Sequence, residues 1–141
     1  LQVTKSRLLF HHVDRSICSK PFVSLICCDN LEDEMPENAI SYFRTFSRFM
    51  DAPHVGELVR NGGTVVRYGH DLERRQRIPR LDQIYNAYIQ AGRELALHGR
   101  IQPATQRLAR QEIIPVPFFS VLKNLPAFKP VMLERAKEML R

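Results

Sequence analysis

The sequence predicts a mainly α-helical fold of short helices joined by Pro- and Gly-rich turns, with an extended N-terminal arm. Two observations carry this prediction. One long stretch, Pro79–Gly99, has clear helical periodicity, and nine prolines with six glycines divide the rest of the chain into short segments. A chain of 141 residues is long enough for one core. We assign residues 36–141 to a small helical domain that contains this core, and residues 1–35, which include an acidic strip, to the arm.

The stretch Pro79–Gly99 has the apolar spacing of a helix that packs on one side. Pro79 suits a first turn, and Gly99 suits the left-handed position that ends a helix. The apolar side recurs at intervals of three and four residues and consists of Leu81, Ile84, Tyr85, Tyr88, Ala91 and Leu95. The remaining polar side chains are expected to face water, namely Asp82, Gln83, Asn86, Gln90, Arg93 and Glu94.

Proline positions and apolar spacing predict three further helices. They run from Asn38 to about Ala52, from Ala104 to about Gln111, and from Pro130 to Arg141. The first of them has an aromatic face, which is typical of core packing and would also suit base stacking on RNA. Residues His54–Arg60 are expected to form a short helical turn.

Two short segments favour β-structure. Phe22–Cys28 is apolar and is followed by Asp29-Asn30, a good stop, so it suits either a strand or a buried half-helix. Thr64–Tyr68 is a brief β-favouring segment that follows a tight turn at Asn61–Gly63. Phe22–Cys28 is also the longest apolar run, and it is far too short to span a bilayer.

The charge pattern favours a polyanionic or acidic partner. The net charge is +6, and sixteen of the twenty-one basic residues are arginine, whose planar side chain suits phosphate, carboxylate and interface contacts. Residues 29–37 instead hold five acids and no base, which indicates a solvated linker or a strip that docks a basic neighbour. A basic surface that serves only solubility is the alternative interpretation.

Five arginines form the candidate contact site for phosphate or an anionic lipid such as cardiolipin. We call them the arginine cluster, and they are Arg67, Arg74, Arg75, Arg77 and Arg80. A solvated, charged helix face is the alternative interpretation of the same residues. Farther along the chain, Pro115 and Pro117 interrupt an apolar segment. We expect Phe118 and Phe119 in that segment to pack against a partner or to close a core.

No pattern in the sequence indicates catalysis. The H-E-x-x-H, G-x-S-x-G and C-x-x-C motifs and the glycine fingerprints are missing. The three cysteines, Cys18, Cys27 and Cys28, have neither zinc-ligand spacing nor a disulfide arrangement. Buried, small hydrophobic side chains are the expected role for these thiols. We therefore predict no catalytic residue, no cofactor and no metal.

The order of features from Phe43 onward resembles that of the ubiquinone-binding-protein family, the small matrix-side subunits of the cytochrome bc1 complex. The corresponding segments in chain order are YFRTFSRF, VGELVRNGG, LERRQRIP, IYNAYIQAGRELALHGRIQP, QEIIPVPFF and VMLERAKEML. Residues 1–35 have no counterpart in that family. The resemblance implies a subunit without a redox centre that contacts the membrane-embedded cytochrome and the core subunits from the matrix.

Two functions remain open at this point. The first is a non-catalytic structural or assembly subunit of a mitochondrial respiratory complex, peripheral to the inner membrane on its matrix side. The second is a mitochondrial ribosomal protein whose arginines contact rRNA phosphates.

The composition of residues 1–20 favours a mitochondrial location for either function. These residues include serine, leucine and basic side chains with one acid, Asp14, as the end of an organelle transit peptide does.

Overall fold

A computed structural model describes residues 2–3, 8–9, 14–29, 34–113, 125–126, 128, 130–131 and 134. The elements in chain order are β1 (Gln2–Val3), β2 (Leu8–Leu9), α1 (Arg15–Cys18), β3 (Phe22–Cys27), α2 (Glu37–Met50), β4 (His54–Arg60), α3 (Gly63–Val66), a 3-10 turn (Arg67–His70), α4 (Leu72–Arg77), α5 (Pro79–His98) and α6 (Pro103–Arg110). β1 and β2 pair with each other as antiparallel strands.

The centre of the described fold is a parallel βαβ unit. Strands β3 and β4 pair in parallel, with Ser24 opposite Glu57 and Leu25 opposite Leu58, and α2 forms the crossover between them. The protein is therefore a mixed α/β fold, and the prediction of a mainly α fold is wrong. Phe22–Cys27, which lies inside the predicted N-terminal arm, is one of the two strands of this sheet.

Segment His54–Arg60 is a strand and not the predicted helical turn. A parallel strand that is covered on both faces lacks the alternation of a half-exposed strand, and only Val55, Leu58 and Val59 of this segment are apolar. Leu58 and Val59 are both buried although they point to opposite faces of the sheet. Pairing with β3 thus determines the conformation of this segment.

Helices cover the two faces of the sheet with separate apolar clusters. On one face Leu58 packs with Ala87 and Ala91 of α5 and with Ile101 and Ala109. On the other face Val59 packs with Ile26 of β3 and Ile40 of α2, with Phe43 beside them. A third cluster lies at the start of α5 and contains Ile78, Leu81, Ile84 and Ile113.

Helix α5 confirms the predicted helix, including its end at Gly99. Gly99 has φ 67°, and its N–H donates to the Leu95 carbonyl at 3.0 Å. Leu81, Ile84 and Ala91 are buried as predicted. Glu94, which was expected to face water, is also buried, because α6 folds back onto this side of α5.

The other local predictions have mixed outcomes. Helices α2 and α6 confirm the predicted helices with slightly shifted ends. Thr64–Tyr68 is helical and not β, because the Asp29 carboxylate accepts from the Thr64 N–H at 2.8 Å at the start of α3. Cys27 is exposed and Cys28 is half-buried, so the prediction of buried thiols is wrong for Cys27.

Two further predictions concern residues at the C-terminal end. Phe118 and Phe119 lie outside the described residues, as does most of the predicted helix at 130–141.

Among the helices that the structure describes, none has both the length and the apolar character needed to cross a bilayer.

Candidate functional site

A cleft of about 560 Å³ opens where the first half of β4 meets the loop between α5 and α6. We call it the β4–α6 cleft. Three separate parts of the chain line it: α2 supplies one residue, β4 supplies four, and the α5–α6 loop with the start of α6 supplies the rest. Its lining residues are Arg44, His54, Val55, Gly56, Glu57, Arg100, Ile101, Gln102, Pro103 and Gln106.

Hydrogen bonds hold the α5–α6 loop against the edge of β4. The Ile101 N–H donates to the Val55 carbonyl at 2.9 Å. The Gln106 side-chain oxygen accepts from the Glu57 N–H at 3.2 Å, and its amide nitrogen donates to the Ile101 carbonyl at 3.0 Å. Gly56 permits the close approach, because a Cβ there would lie 2.6 Å from Ile101 Cδ1. The floor of the cleft is thus a fixed surface.

Glu94 ties the end of α5 to the start of α6 behind the cleft. Its carboxylate accepts from the Thr105 hydroxyl at 2.7 Å and from the Gln102 N–H at 2.7 Å. The Gln90 side-chain amide donates to it at 3.2 Å. These hydrogen bonds, the one from Thr105 above all, hold the pKa of Glu94 below its ordinary value.

This geometry predicts that Glu94→Gln weakens the acid dependence of stability. Because the folded-state pKa is lowered, the stabilisation by Glu94 is complete above the unfolded-state pKa and is lost as the pH falls through the folded-state pKa. We expect the variant to melt at a lower temperature at pH 7. The difference from the wild type should then shrink between about pH 5 and pH 3.

Thermal melts across that pH range measure the effect. Glu112→Gln is the matched control, because the Glu112 side chain is exposed, and we expect it to follow the wild-type curve. A constant difference between Glu94→Gln and the wild type at every pH would contradict the ionic role of Glu94.

The charges of the β4–α6 cleft are arranged with cations outside and an anion inside. Arg44 Nη2 donates to Glu57 Oε1 at 3.3 Å. The Arg44 side chain is 61% exposed, whereas that of Glu57 is 14% exposed. Arg100 is also exposed. An approaching ligand therefore meets guanidinium groups before it meets the carboxylate.

His54 is oriented at the edge of the cleft by two neighbours on β3. Its Nε2 lies 2.9 Å from the Ser24 hydroxyl oxygen, and its ring stacks on Phe22 with the ring centres 4.9 Å apart. A serine–histidine pair can form a nucleophile and base. Ser24 is buried, however, so its hydroxyl is not accessible to a substrate, and the pair serves to orient the imidazole.

The arginine cluster lies on α4 and at the start of α5, away from the cleft. Arg67 is in the 3-10 turn. The structure pairs the other four with acceptors inside the chain. These pairs are Arg74 with Asp71 at 3.5 Å, Arg75 with Asp82 at 2.9 Å, Arg77 with Glu73, and Arg80 with the Glu112 carbonyl at 3.1 Å. Exposed ion pairs contribute little stability. These pairs therefore do not decide whether the arginine cluster contacts an anion, and the predicted contact with phosphate or lipid stays a prediction.

Helix α2 presents an aromatic surface next to β3. The Tyr42 and Phe46 rings stack at 6.3 Å, and Phe46 meets the Phe22 ring edge-on at 5.6 Å. Tyr42 is 63% exposed and Phe49 is 47% exposed. We call Tyr42, Phe46 and Phe49 the aromatic face. The prediction that the apolar side of this helix is core is confirmed for Ile40 and Phe43 but wrong for Phe46 and Phe49, which are exposed. The outer side of α2 has no cover within the described residues.

Sequence reasoning missed the β4–α6 cleft. Its lining residues come from distant segments, and none of those segments carries a recognisable motif.

Within the described part of the chain, no three His, Cys, Asp or Glu side chains are grouped as metal ligands. The chain matches no known protein family, no curated protein and no solved structure.

Proposed function

We propose that this chain is a non-catalytic subunit that docks into a larger multiprotein assembly through its aromatic face. The exposure of Tyr42 and Phe49 is the observation that carries the proposal. Clustered aromatic side chains are enriched at the centres of protein interfaces, where a few of them supply most of the binding energy. Arg48 lies in the last turn of α2, next to Phe49 in the sequence, and is exposed.

The chemistry of the face defines the partner. Burial of exposed aromatic rings requires an apolar surface, and the neighbouring Arg48 guanidinium favours carboxylates at its rim. We therefore propose a protein subunit whose apolar patch is bordered by acidic side chains. The fixed ring contacts among Phe22, Tyr42 and Phe46 reduce the side-chain entropy lost on docking.

The assembly that we propose is a mitochondrial respiratory complex, with cytochrome bc1 as the first candidate and the matrix side of the inner membrane as the location. The resemblance in motif order supports it, since the aromatic face lies within the segment YFRTFSRF, which resembles the aromatic helix of that family in its place along the chain. A mitochondrial ribosomal protein is the second candidate, because the sixteen arginines suit rRNA phosphates.

Blue-native electrophoresis of organelle membranes, with peptide mass spectrometry across the gel, tests the proposal. The wild-type chain should migrate with cytochrome b and the bc1 core subunits. Tyr42→Ser/Phe49→Ser should lose this migration, because truncating an interface aromatic typically costs about 2 kcal/mol or more of binding energy. Ile89→Ser/Leu97→Ser removes two exposed apolar residues from α5 instead and should behave as the wild type does.

Other outcomes are equally informative. Migration with rRNA-containing particles would overturn the respiratory candidate, and Arg74→Gln/Arg75→Gln/Arg77→Gln should then weaken RNA binding in a salt-dependent way. A free, low-mass species would contradict docking into any assembly. Equal loss in both double variants would show that the aromatic face has no special role.

A further inference from the structure

The β4–α6 cleft has the dimensions of a small-molecule site. Its volume of about 560 Å³ falls inside the range of roughly 300–1,000 Å³ typical of ligand pockets. Its floor is anchored by the hydrogen bonds of Ile101 and Gln106 to β4. A ligand would thus enter a preformed cleft that needs little reordering.

The polar groups of the cleft match an oxyanion that still carries a proton. Two exposed arginines, Arg44 and Arg100, line the cleft, and arginine binds phosphate oxygens through paired N–H donors. The Glu57 carboxylate lies deeper and can only accept hydrogen bonds when ionised. A fully deprotonated anion would be repelled by Glu57, whereas a P–O–H group would donate to it.

We propose that the β4–α6 cleft binds a phosphate monoester in its singly protonated form. Arg44 and Arg100 bind the charged phosphate oxygens, with Arg44 using N–H groups other than the one that it donates to Glu57 Oε1. The other carboxylate oxygen of Glu57 accepts the hydrogen bond from the remaining P–O–H. The second pKa of a phosphate monoester is about 6, so this proton is present in a large fraction of the ligand near that pH. Sulfate and phosphate diesters lack this proton and are disfavoured.

The test measures binding at a fixed ionic strength and at about pH 6, where the proton is present. Glycerol 3-phosphate, inorganic phosphate and sulfate are titrated into the protein, followed by calorimetry and by amide NMR shifts. We expect the two phosphates to bind more tightly than sulfate. The shifted amides should centre on Gly56, Ile101 and Gln106.

Matched variants separate a built site from general charge attraction. Arg44→Gln/Arg100→Gln should weaken binding of glycerol 3-phosphate about tenfold or more, because charge-assisted hydrogen bonds are lost. Arg93→Gln/Arg107→Gln removes the same charge from exposed positions outside the cleft and should change binding less than about twofold. Glu57→Gln should raise the affinity for sulfate and remove the preference for phosphate.

The source of the phosphate is distinguished by vesicles. Phosphatidic acid presents a monoester and phosphatidylglycerol presents a diester. Binding to phosphatidic acid vesicles without binding to glycerol 3-phosphate assigns a lipid headgroup, and the converse assigns a soluble metabolite. Either result supports the proposal if Arg44→Gln/Arg100→Gln abolishes it.

Three results would overturn the proposal. The first is no saturable binding of either soluble phosphate up to about 10 mM together with no binding to phosphatidic acid vesicles. The second is equal losses in the two double-arginine variants, and the third is equal binding of phosphate and sulfate. None of these results bears on the aromatic face, whose test uses different residues.

Discussion

Arg60→Met should lower the free energy of unfolding by about 3 kcal/mol. Arg60 is 3% exposed and lies at the end of β4 against the last turn of α6. Its guanidinium donates to the carbonyls of Asn61, Ala109 and Gln111, each at 2.8 Å. A cation at this place also interacts favourably with the negative end of the helix dipole.

The carbonyl groups are the reason for the size of the effect. Methionine fills a similar volume and removes the cost of burying a charge, but the carbonyls of Asn61 and Ala109 remain buried and lose their donor. Each buried polar group left unsatisfied costs about 1–3 kcal/mol. Replacing the cation with an apolar side chain is therefore unfavourable here, unlike the replacement of both members of a buried ion pair.

Urea unfolding measures the effect, with Arg107→Met as the control. Arg107 lies on α6 and is exposed, so its variant should stay within about 0.5 kcal/mol of the wild type. Arg60→Lys should fall between the two, because a single ammonium group cannot reach all the carbonyls that the guanidinium spans. Wild-type stability in Arg60→Met would show that water satisfies these carbonyls.

Local sequence patterns were sufficient for the helices that carry their own signals. Helix α5 has an apolar stripe, a proline in its first turn and a glycine at its end, so every part of the prediction rests on residues within the helix. In the same way, α2 begins directly after Pro36 and α6 begins at Pro103. Such features act over one or two turns and do not depend on distant partners.

The strand β4 could not be identified in that way. Nothing between His54 and Arg60 alternates with a period of two, and the segment gains its conformation from pairing with β3. The decisive neighbours, such as Leu25 opposite Leu58, lie more than thirty residues earlier in the chain. The mixed α/β class depends on this pairing, which is why the prediction of a mainly α fold failed.

The candidate site depends even more on non-local structure. Charged side chains are normally expected to face water, yet Glu94 on α5 and Arg60 at the end of β4 are buried, because each satisfies backbone groups of α6 or of the loop before it. Arg44, Glu57 and Arg100 come from three elements and meet only after the βαβ unit and α6 have formed. No spacing rule within one segment could have placed them together.

Ile84→Ala should lower the free energy of unfolding by about 3–4 kcal/mol. Ile84 is fully buried in α5 and packs with Ile78, Leu81 and Ile113. Truncation removes apolar contacts and leaves a cavity. Ile78 and Leu81 lie at the start of α5 and Ile113 lies after α6, so these side chains cannot all move inward to fill the cavity. Helix propensity acts in the opposite direction and offsets only a few tenths of a kcal/mol.

Ile89→Ala in the same helix separates burial from propensity. Ile89 is 51% exposed, so its substitution makes the same chemical change without opening a buried cavity, and we expect an effect within about 0.5 kcal/mol. Urea unfolding of both variants should give a large difference in midpoint at a similar slope. Equal midpoints would mean that Ile84 is not packed against Ile78, Leu81 and Ile113 in solution, and would contradict the third apolar cluster of the fold.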